Sequence, residues 1–488
     1  MKRLPTKVCK QLMRAAAVAV AGMLISSSLA AWAAERQASG HGAEARNMRL
    51  VGANDLQARS AYQPVIHEQS GRWIVYIGHH GGAVLNPLTG VQEPNGTSIV
   101  DVTDPRRPKY LFHIPGEKGE GEAGGAQMVR VCDGKTLPKG DPNKIYLLRA
   151  FGNSAHEIWD VSAPEKPALV TTVVDKLKNT HKNWWECDTG IAFLVSGAPE
   201  WRTRRMTQVY DLSDPAKPVF IRNFGLVGQQ PGAGGTIPTE LHGAISVGPA
   251  RNRIYFGYGT NKDGVLQIVD RKKLLEGPKE PTPENLLYPQ VSRLDLISLA
   301  GAHTTLPVFG VEVAEFAKDK EGKVRDFVIV VDESLNNECQ ESRQMAYIVD
   351  VTDESKPFPV ANFNVPEAAG NFCSRGGRFG SHSSNENMTP IYHKRIVFIA
   401  WFNAGVRAVD IRDPYRPREI GSYIPAATSR TDKRCIKVEG AERCKVAIQT
   451  NNVEVDNRGY IYIVDRANTG LHILELTGEA RKIGNFPR

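Results

Sequence analysis

The sequence predicts an all-β fold, a single seven-bladed β-propeller. Seven times along the chain, two apolar residues are followed by an acidic residue and, in the clearest copies, by a turn of the form Asp-Pro-x-x-Pro. The acidic residues of these copies are Asp101, Asp160, Asp211, Asp270, Asp350, Asp410 and Glu475. Most copies are about 60 residues apart, and repeats of about 40–50 residues with four short strands are typical of propeller blades. The additional residues predict loops inserted into the blades.

Within each unit, the apolar run predicts a strand that is buried on both faces of its sheet. In residues 99–108 (IVDVTDPRRP), Asp-Pro turns the chain because proline fixes φ and aspartate bonds its own backbone. The second proline opens the outermost strand, where a missing N–H costs nothing. Residues 246–259 and 453–466 alternate apolar and polar residues around polar turns, which predicts hairpins. Residues 48–55 (MRLVGAND) predict an outer strand that helps to close the ring.

The repeated phrases resemble those of the LVIVD-repeat family of secreted and surface propellers, whose name is the strand written here as IVD. The resemblance covers about residues 60–488, nearly the whole chain after its first segment. It implies the propeller fold and does not by itself imply an activity.

The first residues are typical of a secretory signal peptide. An apolar segment over residues 15–25 is followed by Ala-Trp-Ala at 31–33, an A-x-A cleavage site. The cations that precede it are Lys2, Arg3, Lys7, Lys10 and Arg14. The apolar segment is too short to cross a bilayer, so we expect a protein of the periplasm or exterior, without a membrane anchor. We therefore divide the chain into a signal peptide (1–34), an N-terminal arm (35–60) and the propeller (61–488).

Charge and motifs exclude several function classes. The formal net charge is +8, and the five cations of the signal peptide account for most of it. Since no compact basic motif remains, we expect no nucleic-acid partner. The sequence also contains no phosphate loop, nucleophile elbow or Cys-His pairing, which disfavours a serine hydrolase.

Six cysteines remain after Cys9 leaves with the signal peptide, and an even number in an exported protein favours disulfides. Cys435 and Cys444 bracket a short polar segment and are the safest pair. Cys339 with Cys373 and Cys132 with Cys187 follow by elimination. The alternative, a soft copper ligand, has no C-x-x-C spacing to support it.

Seven of the twelve histidines are predicted to lie at one end of the propeller, which we call the mouth. In a blade, the connection into strand a, the strand on the axis, opens at the same end as the loop between strands b and c. Four histidines precede strand a of consecutive blades: His181, His242, His303 and His382. Three more fall in b–c loops: His79, His80 and His156. At the corresponding entry, blade 2 carries Gln127 and the last blade carries Asn451 and Asn452.

Histidines from separate blades that converge on the axis predict a metal site. Imidazole suits copper, iron and zinc, and the set lacks the carboxylates that calcium or magnesium would need. We therefore expect copper, with iron or zinc as alternatives. For any one of these histidines, the alternative is a hydrogen-bonded loop residue without a metal.

In architecture, the arrangement is similar to that of several propeller oxidoreductases. Carotenoid-cleaving oxygenases hold one iron with four axial histidines, and methanethiol oxidases are copper propellers. Nitrous oxide reductase and thiocyanate dehydrogenase hold copper clusters with a His-His pair, to which His79-His80 is similar. The resemblance implies a redox metal. Because the chain has no cupredoxin segment, it also implies a separate electron acceptor.

Arginines and carboxylates near the histidines complete the candidate site. Arg202, Arg204 and Arg205 lie in the b–c loop of blade 3, and Arg375 and Arg378 lie among glycines before His382. Beside a metal, such arginines would attract an anion, although solvated loops are the alternative. Glu157 and Glu386 are the carboxylates available as general bases, or as groups that orient an imidazole. The candidate catalytic residues are Glu157, Arg204 and Arg378.

Two functions of different classes fit these observations. The first is an exported copper- or iron-dependent oxidoreductase that acts on a small molecule at the mouth, an anion if the arginines face it. The second is a non-catalytic propeller that binds a protein, a glycan or a partner in the cell envelope, with histidines that are only structural.

Overall fold

Seven antiparallel sheets follow one another as the blades of a ring in this computed structural model, which describes residues 42–320 and 322–487. The predicted seven-bladed propeller is confirmed. In each blade, strands a to d run from the axis outwards in chain order, except that strand d of blade 7 comes from the N-terminal region. The signal peptide predicted for residues 1–34 lies outside the described residues.

Strands a to d of the first four blades follow one another along the chain. Blade 1 consists of Ala61–Gln69, Arg72–Gly81, Gly96–Asp101 and Lys109–Pro115. Blade 2 consists of Val129–Asp133, Ile145–Phe151, Ala155–Asp160 and Ala168–Val174. Blade 3 consists of Asn183–Trp185, Ile191–Ser196, Met206–Asp211 and Val219–Phe224. Blade 4 consists of Leu241–Ser246, Arg253–Tyr258, Val265–Asp270 and Gln290–Asp295.

The remaining blades have the same arrangement of strands from the axis outwards. Blade 5 consists of Thr304–Glu312, Val324–Val331, Ala346–Asp350 and Phe358–Phe363. Blade 6 consists of Ser383–Ser384, Ile396–Ala400, Val406–Asp410 and Arg418–Ile424, with Glu44–Arg46 added outside. Blade 7 consists of Thr450–Val455, Ile461–Asp465, Gly470–Leu476 and Met48–Asn54.

Short elements are inserted between the blade strands. Gly121–Ala126 pairs with the end of Arg72–Gly81, and two hairpins stand apart from the blades: Ala83–Asn86 with Val91–Pro94, and Lys433–Val438 with Ala441–Val446. The short α-helices are Gly248–Arg251, Arg271–Glu276, Pro283–Leu287 and Gly478–Ile483. The 3₁₀ turns are Leu56–Ala58, Ala314–Phe316, Glu367–Ala369 and Phe372–Ser374.

The repeated acidic residues occupy like positions near the ends of the strands c, as the sequence predicts. The Asp101 carboxylate accepts a hydrogen bond from the N–H of Thr103, 2.9 Å away, and so turns the chain towards strand d. In blade 4 the turn phrase is replaced by Arg-Lys-Lys-Leu. There Asp270 instead caps the helix Arg271–Glu276 by accepting from the N–H of Lys273.

The ring closes through the predicted outer strand. Met48–Asn54 pairs antiparallel with Gly470–Leu476, from Met48 opposite Leu476 to Asn54 opposite Leu471. The first and last parts of the described chain therefore share one sheet, and no blade is left with an unpaired third strand at this junction.

The hydrophobic core is divided into layers between neighbouring blades. Val75 and Ile77 of blade 1 pack with Tyr462 and Ile473 of blade 7, while Tyr76 and Ile99 of blade 1 belong to the layer shared with blade 2. Successive residues of a strand point to opposite faces of the sheet. Each blade therefore buries both faces against its two neighbours, as expected for a quasi-repetitive ring.

All three predicted disulfides are present: Cys132–Cys187, Cys339–Cys373 and Cys435–Cys444. Disulfides of this number indicate an oxidising, extracellular environment. Within the described residues, no helix combines the length and apolar character needed to cross a membrane.

Candidate metal centre

The four histidines predicted at the strand-a entries meet on the axis. The ring centroids of His181 and His242 are 4.5 Å apart, those of His242 and His303 3.6 Å, and those of His303 and His382 4.3 Å. Tyr62 of blade 1 closes the row, because its ring lies edge-on to both His181 and His382 at 5.5 and 5.8 Å. Side chains from five blades therefore converge at one place.

Irregularities at the start of strand a turn these side chains inwards. In blades 1, 4 and 7 the pairing of strands a and b shifts register around Tyr62, His242 and Asn451. A bulged residue is left out of the ladder and can aim its side chain in a new direction. His303 and His382 instead lie just before strand a, and the N–H of each donates to a strand-b carbonyl, that of Val331 or Ala400.

Backbone carbonyls orient two of the imidazoles. His242 Nδ1 donates to the carbonyl oxygen of His303 at 3.1 Å, and His382 Nδ1 donates to that of Asn451 at 2.6 Å. A carbonyl oxygen only accepts, so each Nδ1 carries the proton and each Nε2 keeps a lone pair. Histidines that bind metals are commonly held in this way by their other nitrogen.

Glu333 brings a carboxylate into the row. One ligand atom from each of His242, His303 and Glu333 lies within 4.8 Å of the other two, and all three residues are buried. Glu333 also approaches His382, with Oε1 3.5 Å from Nε2. His303 Nε2 has no hydrogen-bond partner among the described residues. Glu333 therefore adds one carboxylate to a set that the sequence predicts from its histidines.

His181 extends this group at one end. Its Nε2 lies 2.8 Å from His242 Nε2 and 3.3 Å from the Tyr62 hydroxyl. Because His242 Nε2 carries a lone pair, His181 Nε2 donates the proton of this hydrogen bond. If a metal were to bind both Nε2 atoms, the proton of His181 would have to move to its Nδ1, which has no hydrogen-bond partner among the described residues.

Burial controls the ionisation of the site. Loss of solvation lowers the pKa of His181, His242, His303 and His382 well below the usual histidine value. Neutral imidazoles bind metal without first losing a proton. Burial also raises the pKa of Glu333, and the nearby Arg378 opposes that shift. Arg378 Nη1 donates to Glu333 Oε1 at 3.1 Å.

The His79-His80 pair is divided between the two faces of strand b. Both residues lie within Arg72–Gly81, at its end, rather than in the predicted b–c loop. His80 faces Tyr62 and accepts a hydrogen bond on Nε2 from Arg466 Nη2, 2.9 Å away. His79 points to the other face, where Nε2 bonds the hydroxyl of Ser98 at 2.7 Å. The structure thus places only His80 beside the axial row.

His156 and Glu157 also lie in a strand, Ala155–Asp160, and not in a loop. Glu157 accepts from Arg149 Nε at 2.9 Å and from Trp159 Nε1 at 2.8 Å. Arg149 in turn donates to carbonyls of blade 1, so these contacts hold Glu157 in the interface between blades 1 and 2. His156 is fully buried, and neither ring nitrogen has a hydrogen-bond partner among the described residues.

The predicted arginines differ in their relation to the histidines. Arg378 joins the site through Glu333. Arg204 forms a two-bonded ion pair with Glu240, and about half of its side chain is exposed. Glu386 lies on the axis but binds Arg130 and Lys182, which occupy both of its oxygens.

Three residues that sequence reasoning missed complete the group: Tyr62, Glu333 and Arg466. Glu333, Arg466 and His80 occupy the same position in their blades. Each lies two residues after a strand-b residue that is paired near the start of strand a: Val331, Val464 and Gly78. Tyr62 occupies the entry of blade 1 that corresponds to His242. An alignment of the blades over every residue type, and not only over histidine, would have found all three.

No known protein-family model matches the chain, and no curated protein matches it in sequence. The LVIVD-repeat assignment therefore remains a prediction. Among solved structures, the chain is similar to the crystal structure of Sqt1 from Chaetomium thermophilum, with 9% sequence identity and a TM-score of 0.45. The match covers 88% of this chain and 99% of that chain. A likeness this low supports no conclusion about function, so the fold rests on the seven blades themselves and the site on its own geometry.

Proposed function

We propose that the protein is an exported metalloprotein whose axial histidines and Glu333 bind a redox-active metal, and that it acts as an oxidoreductase on a small molecule at the mouth. The observation that carries the proposal is the convergence of His242, His303 and Glu333 within 4.8 Å in a buried place. The carbonyl of His303 directs the lone pair of His242 into that place.

The choice of metal follows from the donor atoms. Two histidines and one carboxylate are the donors of many non-haem iron(II) sites, whereas a set of imidazoles suits copper. His181 and His382 would supply further imidazoles at either end. We therefore propose iron or copper, with zinc as the redox-inactive alternative. A bound iron or copper ion would accept electrons and pass them to a separate acceptor.

Burial supports a binding role over a purely structural one. His303 leaves a ring nitrogen without a partner among the described residues, and a buried polar atom of this kind costs free energy unless something binds it. A divalent ion bound to both residues would also replace the single hydrogen bond that now joins His181 Nε2 and His242 Nε2.

Metal analysis of the protein exported in the presence of copper or iron tests the proposal. We expect about one or more ions per chain in the wild type and loss of stoichiometric metal in His242→Ala and His303→Ala. His393→Ala is the matched control, because His393 lies in the turn between strands a and b of blade 6, at the end opposite the mouth. Electron paramagnetic resonance before and after chemical reduction distinguishes a redox centre from zinc.

The opposite result would select the other function class. If the wild type takes up neither copper nor iron, or if both alanine variants retain full metal, the enzyme function fails. The propeller would then be a binding protein for a macromolecular or envelope partner, and its axial histidines would be structural.

A further inference from the structure

Arg466 is a largely buried arginine at the mouth whose ion pair, with Glu333, is long. The charged side chains that most affect the ionisation of Glu333 are Arg378, Glu122, Arg466 and Arg205. Arg378 donates to Glu333 at 3.1 Å, and Arg205 donates to Glu122 at 2.9 Å. Arg466 Nη1 is 4.0 Å from Glu333 Oε1, beyond hydrogen-bond distance, and has no hydrogen-bond partner among the described residues.

The guanidinium of Arg466 is held in place from its other side. Its Nη2 donates to His80 Nε2 at 2.9 Å, and His80 Nδ1 lies 3.4 Å from the hydroxyl of Ser60. Arginine has no acceptor, so His80 must offer its lone pair to Arg466. His80 is therefore a positioning residue for Arg466, and its Nε2 is not available to a metal in this arrangement.

We propose that Arg466 and Arg378 bind a small anion, an oxyanion or a carboxylate, next to the metal centre. This inference rests on the proposed function and names the substrate class of the same site. The two guanidinium groups approach the same oxygen of Glu333, so they lie side by side. Planar guanidinium groups offer pairs of donors that match the geometry of oxyanions and carboxylates.

The charge of the site supports the same ligand class. Arg205 and Arg378 already donate to the two nearby carboxylates, Glu122 and Glu333. A divalent metal would add positive charge beside Arg466, whose ion pair with Glu333 is long, and an anion would offset both charges. The Tyr62 hydroxyl, 3.3 Å from His181 Nε2, is a further polar group at this place, and the Tyr62 ring packs against His80.

Enclosure limits the size of the anion. The side chains of Arg466 and Arg378 are 12% and 23% exposed, and Tyr62 is buried. A ligand could therefore reach the guanidinium groups only at the small exposed part of each side chain. A protein surface or a polymer chain could not make these contacts without rearrangement of the mouth.

Anion binding to the copper(II)-loaded protein tests the inference. Azide is the probe, followed by its charge-transfer absorption, and formate is the competing carboxylate. We expect Arg466→Gln and Arg378→Gln to weaken azide and formate binding at least tenfold, with binding measured per copper ion bound. Arg466→Lys, which keeps the charge, should lose less. Arg253→Gln is the matched control, because Arg253 is also 23% exposed and paired with a carboxylate, at the opposite end of blade 4.

Each outcome bears on one proposal. If copper binds and all three arginine variants bind azide like the wild type, the anion site is overturned while the metal centre stands. If copper does not bind, the proposed function fails, and calorimetry of formate binding to the metal-free protein decides the anion site. Formate binding that depends on Arg466 would support it, and no binding, or equal binding by Arg466→Gln, would overturn it. Should Arg466→Gln not fold, Arg378→Gln and Arg466→Lys serve in its place.

Discussion

His242 and His303 are joined across two blades by a hydrogen bond from an imidazole to a main-chain carbonyl. The Nδ1–O distance is 3.1 Å, and the two rings lie 3.6 Å apart at 34°. The backbone of blade 5 thus sets the direction of the lone pair of a side chain from blade 4. Packing between blades, which stabilises the fold, is also what prepares the ligands.

Replacing Glu333 by glutamine should weaken metal binding at least about tenfold, because the change removes the negative charge that offsets a divalent ion. Iron binding should fall more than copper binding, since iron(II) sites use the carboxylate and copper sites rely on imidazole. Competition with a chelator of known affinity measures both.

Glu240→Gln is the control for this substitution. Glu240 also lies at the mouth, and its carboxylate pairs with an arginine, Arg204. Equal loss of metal in the two variants would mean that general electrostatics, and not ligation by Glu333, determines the affinity.

The fold could be predicted from the sequence far better than the site. The two apolar residues and the acidic residue that end at Asp101 in blade 1 recur near the end of strand c in every blade, and in most blades a turn of similar sequence follows. The same periodicity locates the strand-entry histidines. Glu333 and Arg466 share the blade position of His80 but are of other residue types, so a search restricted to histidines does not find them. His79 and His80 point to opposite faces because strand b of blade 1 extends to Gly81. The sequence pattern predicts that the strand ends before them and places both in the b–c loop.

Replacing Glu386 by glutamine should destabilise the protein by about 3–5 kcal/mol at neutral pH, because it leaves Lys182 and Arg130 without their buried carboxylate. Burial alone would raise the pKa of Glu386, but Arg130 and Lys182 lower it to about 2. The stability gained from the ionised group is therefore present above about pH 4.5 and is lost as the pH falls towards 2.

Urea unfolding of wild type and Glu386→Gln at several pH values measures this effect. The difference between their free energies of unfolding should shrink as the pH is lowered from about 4.5 to 2. Glu475→Gln, which breaks a surface pair with the largely exposed Arg49, should show little difference at any pH. A gap that stays constant down to pH 2 would contradict the assignment.

Loss of the Cys132–Cys187 disulfide should cost more than loss of Cys435–Cys444. The bonds close loops of 55 and 9 residues, for which chain entropy gives about 4 and about 2.6 kcal/mol. Double substitutions to serine, compared by the midpoint of unfolding in denaturant, measure the order. A larger loss for Cys435–Cys444 would show that its hairpin has a role in stability beyond loop closure.

Removal of residues 42–54 should abolish cooperative folding, because strand c of blade 7 then loses its partner and the ring cannot close. Removal of residues 42–46 alone is the control, since Glu44–Arg46 adds a strand only at the outer edge of blade 6. We expect the longer deletion to aggregate and the shorter one to melt as one transition, followed by circular dichroism. A sharp transition in the longer deletion would mean that blade 7 is stable with three strands.

The register shifts around Tyr62, His242 and Asn451 leave one residue near the start of strand a unpaired in each of three blades. These positions face the axis, and their side chains can be substituted. A bulged residue takes no part in the ladder, so its identity can change while the strands beside it stay paired. Asn451 binds His382 through its backbone carbonyl, so a substitution of Asn451 by histidine would keep that hydrogen bond and add an imidazole. Substitution of these residues, in one blade after another, could therefore change the number and type of metal ligands on the axis without changing the fold.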